Sequence, residues 1–252
     1  MPVGVWTQTL RISWSPSLDY YEGRIQFLKD LEEAGLVRAF KLSDLDRAEA
    51  HIGKSGHELV LTPTSVVIDV VGEDGDWEDC DVAVSRAVEV SRPAEFRRVA
   101  FSYQLLAPLE MPKDAAISAA TSAWFGHWTS SIVVSDHALL VDATDQDGDF
   151  QIKAEFGIVG EDEIPDRIMR GAGRTGRRRR KLPANLKESG LPEVAMYMDF
   201  HADLSGSVEL PADLGDWLGE LRKKTRSVAV EWCDILEESL INADKGDRKV
   251  QI

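Results

Sequence analysis

The chain has 252 residues, 43% of them hydrophobic, with a formal charge of −15 and two cysteines. That length and apolar fraction allow a full core and exclude wholesale disorder. The acidic balance disfavours a nucleic-acid or membrane-surface role for the body as a whole, and Cys80 and Cys233 are too few for a disulfide-stapled secreted scaffold.

Val3 to Trp14 alternates, with Trp6, Leu10, Ile12 and Trp14 on one side, and is read as a first strand. Ser15-Pro16 is read as a cap followed by proline at the first position of a helix. Leu18, Tyr21, Ile25, Leu28 and Leu31 line that helix, and Gly35 stops it. From Arg38 to Gly56 the signal is mixed and is read as irregular, with at most a short helix at Ser43–His51. His57–Leu61 and Ser65–Val71 read as two strands around Thr62-Pro63-Thr64. Trp77, Cys80, Val84, Val88 and Ser91 recur at helical spacing before Pro93, and Val99, Phe101, Tyr103 and Leu105 alternate along a further strand. Strand, helix, strand, strand, helix, strand is the ferredoxin-like order.

Ala115–Phe125 is helical; Ser131–Ala143 and Phe150–Val159 are strands joined by a turn at Thr144–Asp149. Residues 160–192 keep no period and are read as a flexible basic loop. In the last strand Val194, Met196, Met198, Phe200 and Ala202 face one way, and Tyr197, Asp199, His201 and Asp203 the other. Asp213–Ile241 follows as a long helix whose stripe is Leu214, Trp217, Leu218, Leu221, Thr225, Val228, Trp232, Ile235, Leu236 and Ser239. The expected class is α+β: a mixed, mostly antiparallel sheet covered by helices, with that long helix closing it. Residues 1–252 read as one domain, with 1–109 and 110–252 as an alternative division into subdomains.

Three blocks of the sequence resemble a sporadically distributed bacterial family of unassigned function. They are Leu59-Val60-Leu61-Thr62-Pro63 leading to Trp77-Glu78-Asp79, then Arg98 to Gln104, then Met198-Asp199-Phe200-His201. Ser102 stands where that family usually has arginine, and His201 where it usually has a second aspartate. The resemblance implies the architecture and carries over no catalytic residue. The family's patchy occurrence implies an accessory or immunity-type partner in a defence or toxin locus.

Asp199, His201 and Asp203 project from one strand face at period two and are the candidate divalent-metal ligands of a hydrolase. The plainer reading is a strand showing its polar side to water. His127 and His137 fall near turns and are weaker candidates. Asp145 to Asp149 fails the EF-hand register, since Gly148 falls fourth and Phe156 twelfth, so a hairpin turn is expected there. Gly53-Lys54-Ser55 lacks the opening glycine of a phosphate loop, and Gly171–Gly176 lacks the strand and helix that a dinucleotide fold requires. Arg167–Lys181 holds eight basic residues and no acidic one. Arg174, Arg177, Arg178, Arg179, Arg180 and Lys181 are therefore the candidate nucleic-acid contacts. The leading expectation is a non-catalytic, cytoplasmic binding or regulatory protein with a basic protein partner, no cofactor and no membrane segment. A nucleic-acid factor and a metal-dependent hydrolase are the alternatives.

Overall fold

The computed structural model describes residues 4–54, 56–71, 77–125, 138–145, 148–167 and 191–244. Among these residues nine strands form one sheet: β1 (Gly4–Ser13), β2 (Val37–Ser43), β3 (Ala48–Ile52), β4 (His57–Thr62), β5 (Ser65–Val71), β6 (Phe96–Pro108), β7 (Ala138–Thr144), β8 (Gln151–Gly160) and β9 (Val194–Val208). Their spatial order is β2-β3-β4-β5-β1-β6-β9-β8-β7, and every pair is antiparallel. The sheet draws strands from both sides of residue 109. The longer helices among the described residues are α1 (Asp19–Glu33), α2 (Trp77–Ser91), α3 (Lys113–Phe125) and the long α4 (Leu214–Asp244), with a helical turn at 164–167 besides. The protein is α+β, and no helix among the described residues is long and apolar enough to cross a membrane.

These four helices lie on one side of the sheet. α1 packs on α2, α2 touches α4, and α4 packs on α3; beneath them are β3, β5, β6, β9 and β8. Strand alternation supplies that floor: Val99, Phe101, Tyr103 and Leu105 of β6 and Met196, Met198, Phe200 and Ala202 of β9 are all buried. The Asp213 carboxylate accepts the Asp216 amide at 3.0 Å and caps α4. At 31 residues the helix is about 46 Å long. Trp217 stacks on Phe96, with ring centroids 6.3 Å apart, and Trp232 meets Phe200 edge-on at 5.7 Å. The Tyr103 hydroxyl lies 2.8 Å from Thr225 Oγ1, pinning α4 to β6, and burial pushes its pKa up to about 12.

Several expectations need correction. The segment read as irregular forms the β2–β3 hairpin, with no helix at 43–51. Its ladder shifts register twice, and those bulges scramble the alternation that would have marked a strand. The N-terminal half therefore runs strand, helix, four strands, helix, strand, with two more strands than the ferredoxin-like order. α1 starts at Asp19, and no side chain caps it. Its buried face is Tyr20, Phe27, Leu28 and Leu31, leaving Leu18, Tyr21 and Ile25 exposed. Gly23 explains the rotation: a Cβ there would lie 2.9 Å from Val90 Cβ and 3.1 Å from the Val90 carbonyl, so the bare backbone is what lets α1 approach α2. On α4, Ile235 points outward, while Ala229, Cys233 and Leu240, absent from the predicted stripe, are buried.

Gly23→Ala should destabilise the fold by about 1–2 kcal/mol in urea unfolding, because overpacking outweighs the roughly 1 kcal/mol gain in helix propensity. Gly219→Ala in α4, where the nearest atom is Arg222 Nη2 at 3.8 Å, should move stability the other way.

Candidate functional site

With the helices on one side, the other side of the sheet is left for polar residues. Cross-strand register aligns them. One row runs from Glu58 through Asp69, Thr9 and Ser102 to His201, Lys153 and Asp142. The next row holds Thr7, Gln104, Asp199, Glu155 and Leu140. Between the two rows lies an open cleft of about 610 Å³.

The segment leaving β8 forms one wall. Ile164 is buried against Leu106, Val159, Ala195 and Tyr197, a second small core on this otherwise polar side. The Lys113 ammonium, 2.6 Å away, and the Gly160 amide hold the Glu163 carboxyl below the usual carboxylate range. Arg167 then reaches Glu155 at 3.0 Å and lies over the Tyr197 ring at 4.5 Å. Burial, and then the hydrogen bond donated to Glu155 at 2.9 Å, pushes the Tyr197 phenol above its ordinary range, so it stays a donor.

The floor is cross-braced. Thr7 Oγ1 donates to Gln104 Oε1 at 2.6 Å. The Gln104 amide nitrogen donates to Asp199 Oδ1 at 2.9 Å and to the Arg167 carbonyl at 3.1 Å. Thr9 Oγ1 donates to Asp69 at 2.5 Å. The proton on His201 follows from its neighbours. Arg98 Nη2 lies 2.9 Å from Nε2, and arginine only donates, so Nε2 accepts. Nδ1 therefore carries the hydrogen and donates to Ser102 Oγ at 2.7 Å. A serine nucleophile needs the opposite order, with histidine accepting the hydroxyl proton.

Asp199, His201 and Asp203 share a strand face, as their spacing requires. Arg98 Nη2 also meets Asp203 Oδ2 at 2.6 Å, so a guanidinium stands between His201 and Asp203 where a shared cation would sit. Among the described residues no group of three His, Cys, Asp or Glu side chains converges as metal ligands do. At the β7–β8 turn, Phe150 N–H donates to Asp145 Oδ1 at 2.7 Å and Lys224 pairs with Asp145 at 3.0 Å. Burial works to raise the Asp145 carboxyl, but these two partners outweigh it and hold it below its ordinary value. The turn is a hairpin joining adjacent strands. The two cysteines are buried, and burial, with Asp234 and Glu237 nearby, pushes the Cys233 thiol up to about 12.

Arg174, Arg177–Arg180, Lys181, His127, His137 and Gly171–Gly176 lie outside the described residues. Sequence reasoning missed Thr7, Thr9, Lys153, Glu155 and Arg167 as site residues. The available signal was the polar parity of strands whose other parity is apolar, as in Thr7 and Thr9 against Leu10 and Ile12. No protein-family model matches the chain, and no curated protein matches it.

Proposed function

We propose that this is a non-catalytic binding protein of the accessory or regulatory kind, and that it receives its partner on the open face of the sheet. The observation that carries this reading is the contact of Arg98 with His201 Nε2, from which the donor order at Ser102–His201–Arg98 follows because arginine only donates. The imidazole accepts a hydrogen bond from the arginine at one nitrogen and donates one to the serine from the other. That arrangement fixes a surface; it does not activate a nucleophile. The rest of the floor is braced in the same way, which suits recognition by a preformed face. The chain's charge of −15 favours a basic partner through fast, salt-sensitive encounter.

The test compares capture by the wild type with capture by a Glu155→Gln/Asp199→Asn variant, which removes two carboxylates from the cleft and leaves the helix-side core untouched. Proteins held by the wild type at low salt should be released by added salt and be several-fold depleted with the variant. Equal capture by both would sink the reading. So would a stoichiometric metal in the purified protein, or RNA or DNA binding that disappears when Arg177–Arg180 are replaced by alanine.

A further inference from the structure

The two ends of the sheet are built differently. At one end, β2 breaks its ladder with β3 at two register shifts. It also carries Arg38 and Lys41, the latter 2.5 Å from Glu58 and 3.6 Å from Glu49. Bulges and cations on an edge strand block the addition of another strand. At the other end, β7 pairs with β8 residue for residue from Ala138↔Gly157 to Thr144↔Gln151, without a shift. Its sequence, Ala-Leu-Leu-Val-Asp-Ala-Thr, has no proline, glycine or cation and one charge, Asp142. Among the described residues no strand pairs with its outer side. Leu139, Val141 and Ala143 pack on the core from the helix side but stay partly exposed, because the helical layer ends with α3 over β8. On the open side Leu140 is 75% exposed. A regular, largely apolar edge of this kind templates strand pairing.

We propose that β7 is a self-association edge: two copies of this chain pair β7 with β7 in antiparallel register about a twofold axis at Val141. The sequence of β7 can face itself in that register. Leu139 faces Ala143 of the second copy, Ala138 faces Thr144 of the second copy, and Leu140 faces Asp142 of the second copy. No charge lies directly opposite a like charge. The helix-side row of each chain gains the other's row as cover. A twofold axis between antiparallel strands stands perpendicular to the sheet, so the helical layers share one side and both clefts open on the other. Each cleft borders the axis, since Leu140 and Asp142 line it. The blocked β2 edge ends the sheet at the far side of each copy, so assembly closes at two and does not grow into a filament.

The test is the mass of the full chain in solution, by light scattering and sedimentation velocity across a concentration series. The wild type should weigh twice the 28.0 kDa chain. Two acidic bodies joined by an apolar strand should associate more tightly as salt rises, whereas capture of a basic partner in the cleft loosens; failure of one claim is thus distinguishable from failure of the other. Leu140→Asp sets a carboxylate against Asp142 of the second copy and should return the protein to single mass with an unchanged circular dichroism spectrum. Adding Asp142→Lys to that variant restores opposite charges across the pair and should restore the dimer. A wild type of single mass at every concentration and at raised salt overturns the proposal, whatever else then occupies the edge. A dimer that survives Leu140→Asp overturns it equally, since another surface would then be holding the copies together.

Discussion

Phe200→Ala should cost about 3–5 kcal/mol, the range for removing a fully buried aromatic side chain. Phe200 is 1% exposed and lies where β9 meets α4. Its ring has Trp232 edge-on at 5.7 Å and Tyr103 tilted at 6.2 Å. Deleting it opens a void between a strand backbone and a helix, neither of which can collapse without disturbing neighbours that are themselves buried. Native domains hold about 5–15 kcal/mol in total, so this one truncation removes a large share. Urea unfolding followed by both circular dichroism and tryptophan emission would measure it, and the native emission should shift to longer wavelength as Trp232 gains water. Phe200→Leu, which keeps most of the volume, should cost less than half as much. A loss below about 1 kcal/mol for the alanine variant would mean that α4 does not rest on β9 as described.

The second large effect is expected at Arg222. Its two terminal nitrogens fork onto Asp81 at 2.8 and 2.9 Å, and its guanidinium lies over Trp77 at 4.2 Å. The pair joins α4 to the start of α2, and the side chains are 15% and 17% exposed. Arg222→Ala leaves the Asp81 carboxylate largely desolvated with no cation, at a cost of about 3 kcal/mol. Arg222→Lys should recover little, since an ammonium offers neither the fork nor the flat face against the indole. The double variant Arg222→Met/Asp81→Leu should come back close to wild type, because the cost lies in the orphaned charge more than in the lost attraction. A double-mutant cycle by urea unfolding separates these. A coupling near zero would show that the contact contributes no stability.

Where one period served one face, the sequence was legible. β6 and β9 were legible because one parity is apolar and meets the helical layer while the other is mostly polar and faces the cleft, except where Leu106, Ala195 and Tyr197 join the second small core. Asp213 to Ile241 kept helical spacing over many turns, and α4 occupies that stretch with Trp217 and Trp232 on the core. Where a signal came from absence, reading failed. Gly23 has no side chain to count, so the face of α1 that touches α2 looked weak, and the exposed Leu18–Tyr21–Ile25 stripe looked like the core. β2 lies at a sheet edge, broken by bulges and rich in cations, and nothing in its pattern separates it from a loop. The cleft was legible only in fragments. Asp199, His201 and Asp203 announced their shared face, but Arg98, between two of them, lies more than a hundred residues away along the chain.

The sequence by itself determined the class of fold, the polar side of β9 and the long closing helix, because each follows from the spacing of side chains along one stretch of backbone. Beyond the hairpin expected between β7 and β8, the tertiary structure alone decided which strands are neighbours. That decision places Thr7 beside Gln104 and Ser102 beside His201, gives Arg98 to the imidazole where a metal was one alternative reading, and leaves β7 rather than β2 as the regular edge among the described residues. Spacing repeats within a segment and is written there; register between distant segments is fixed only when the whole core packs.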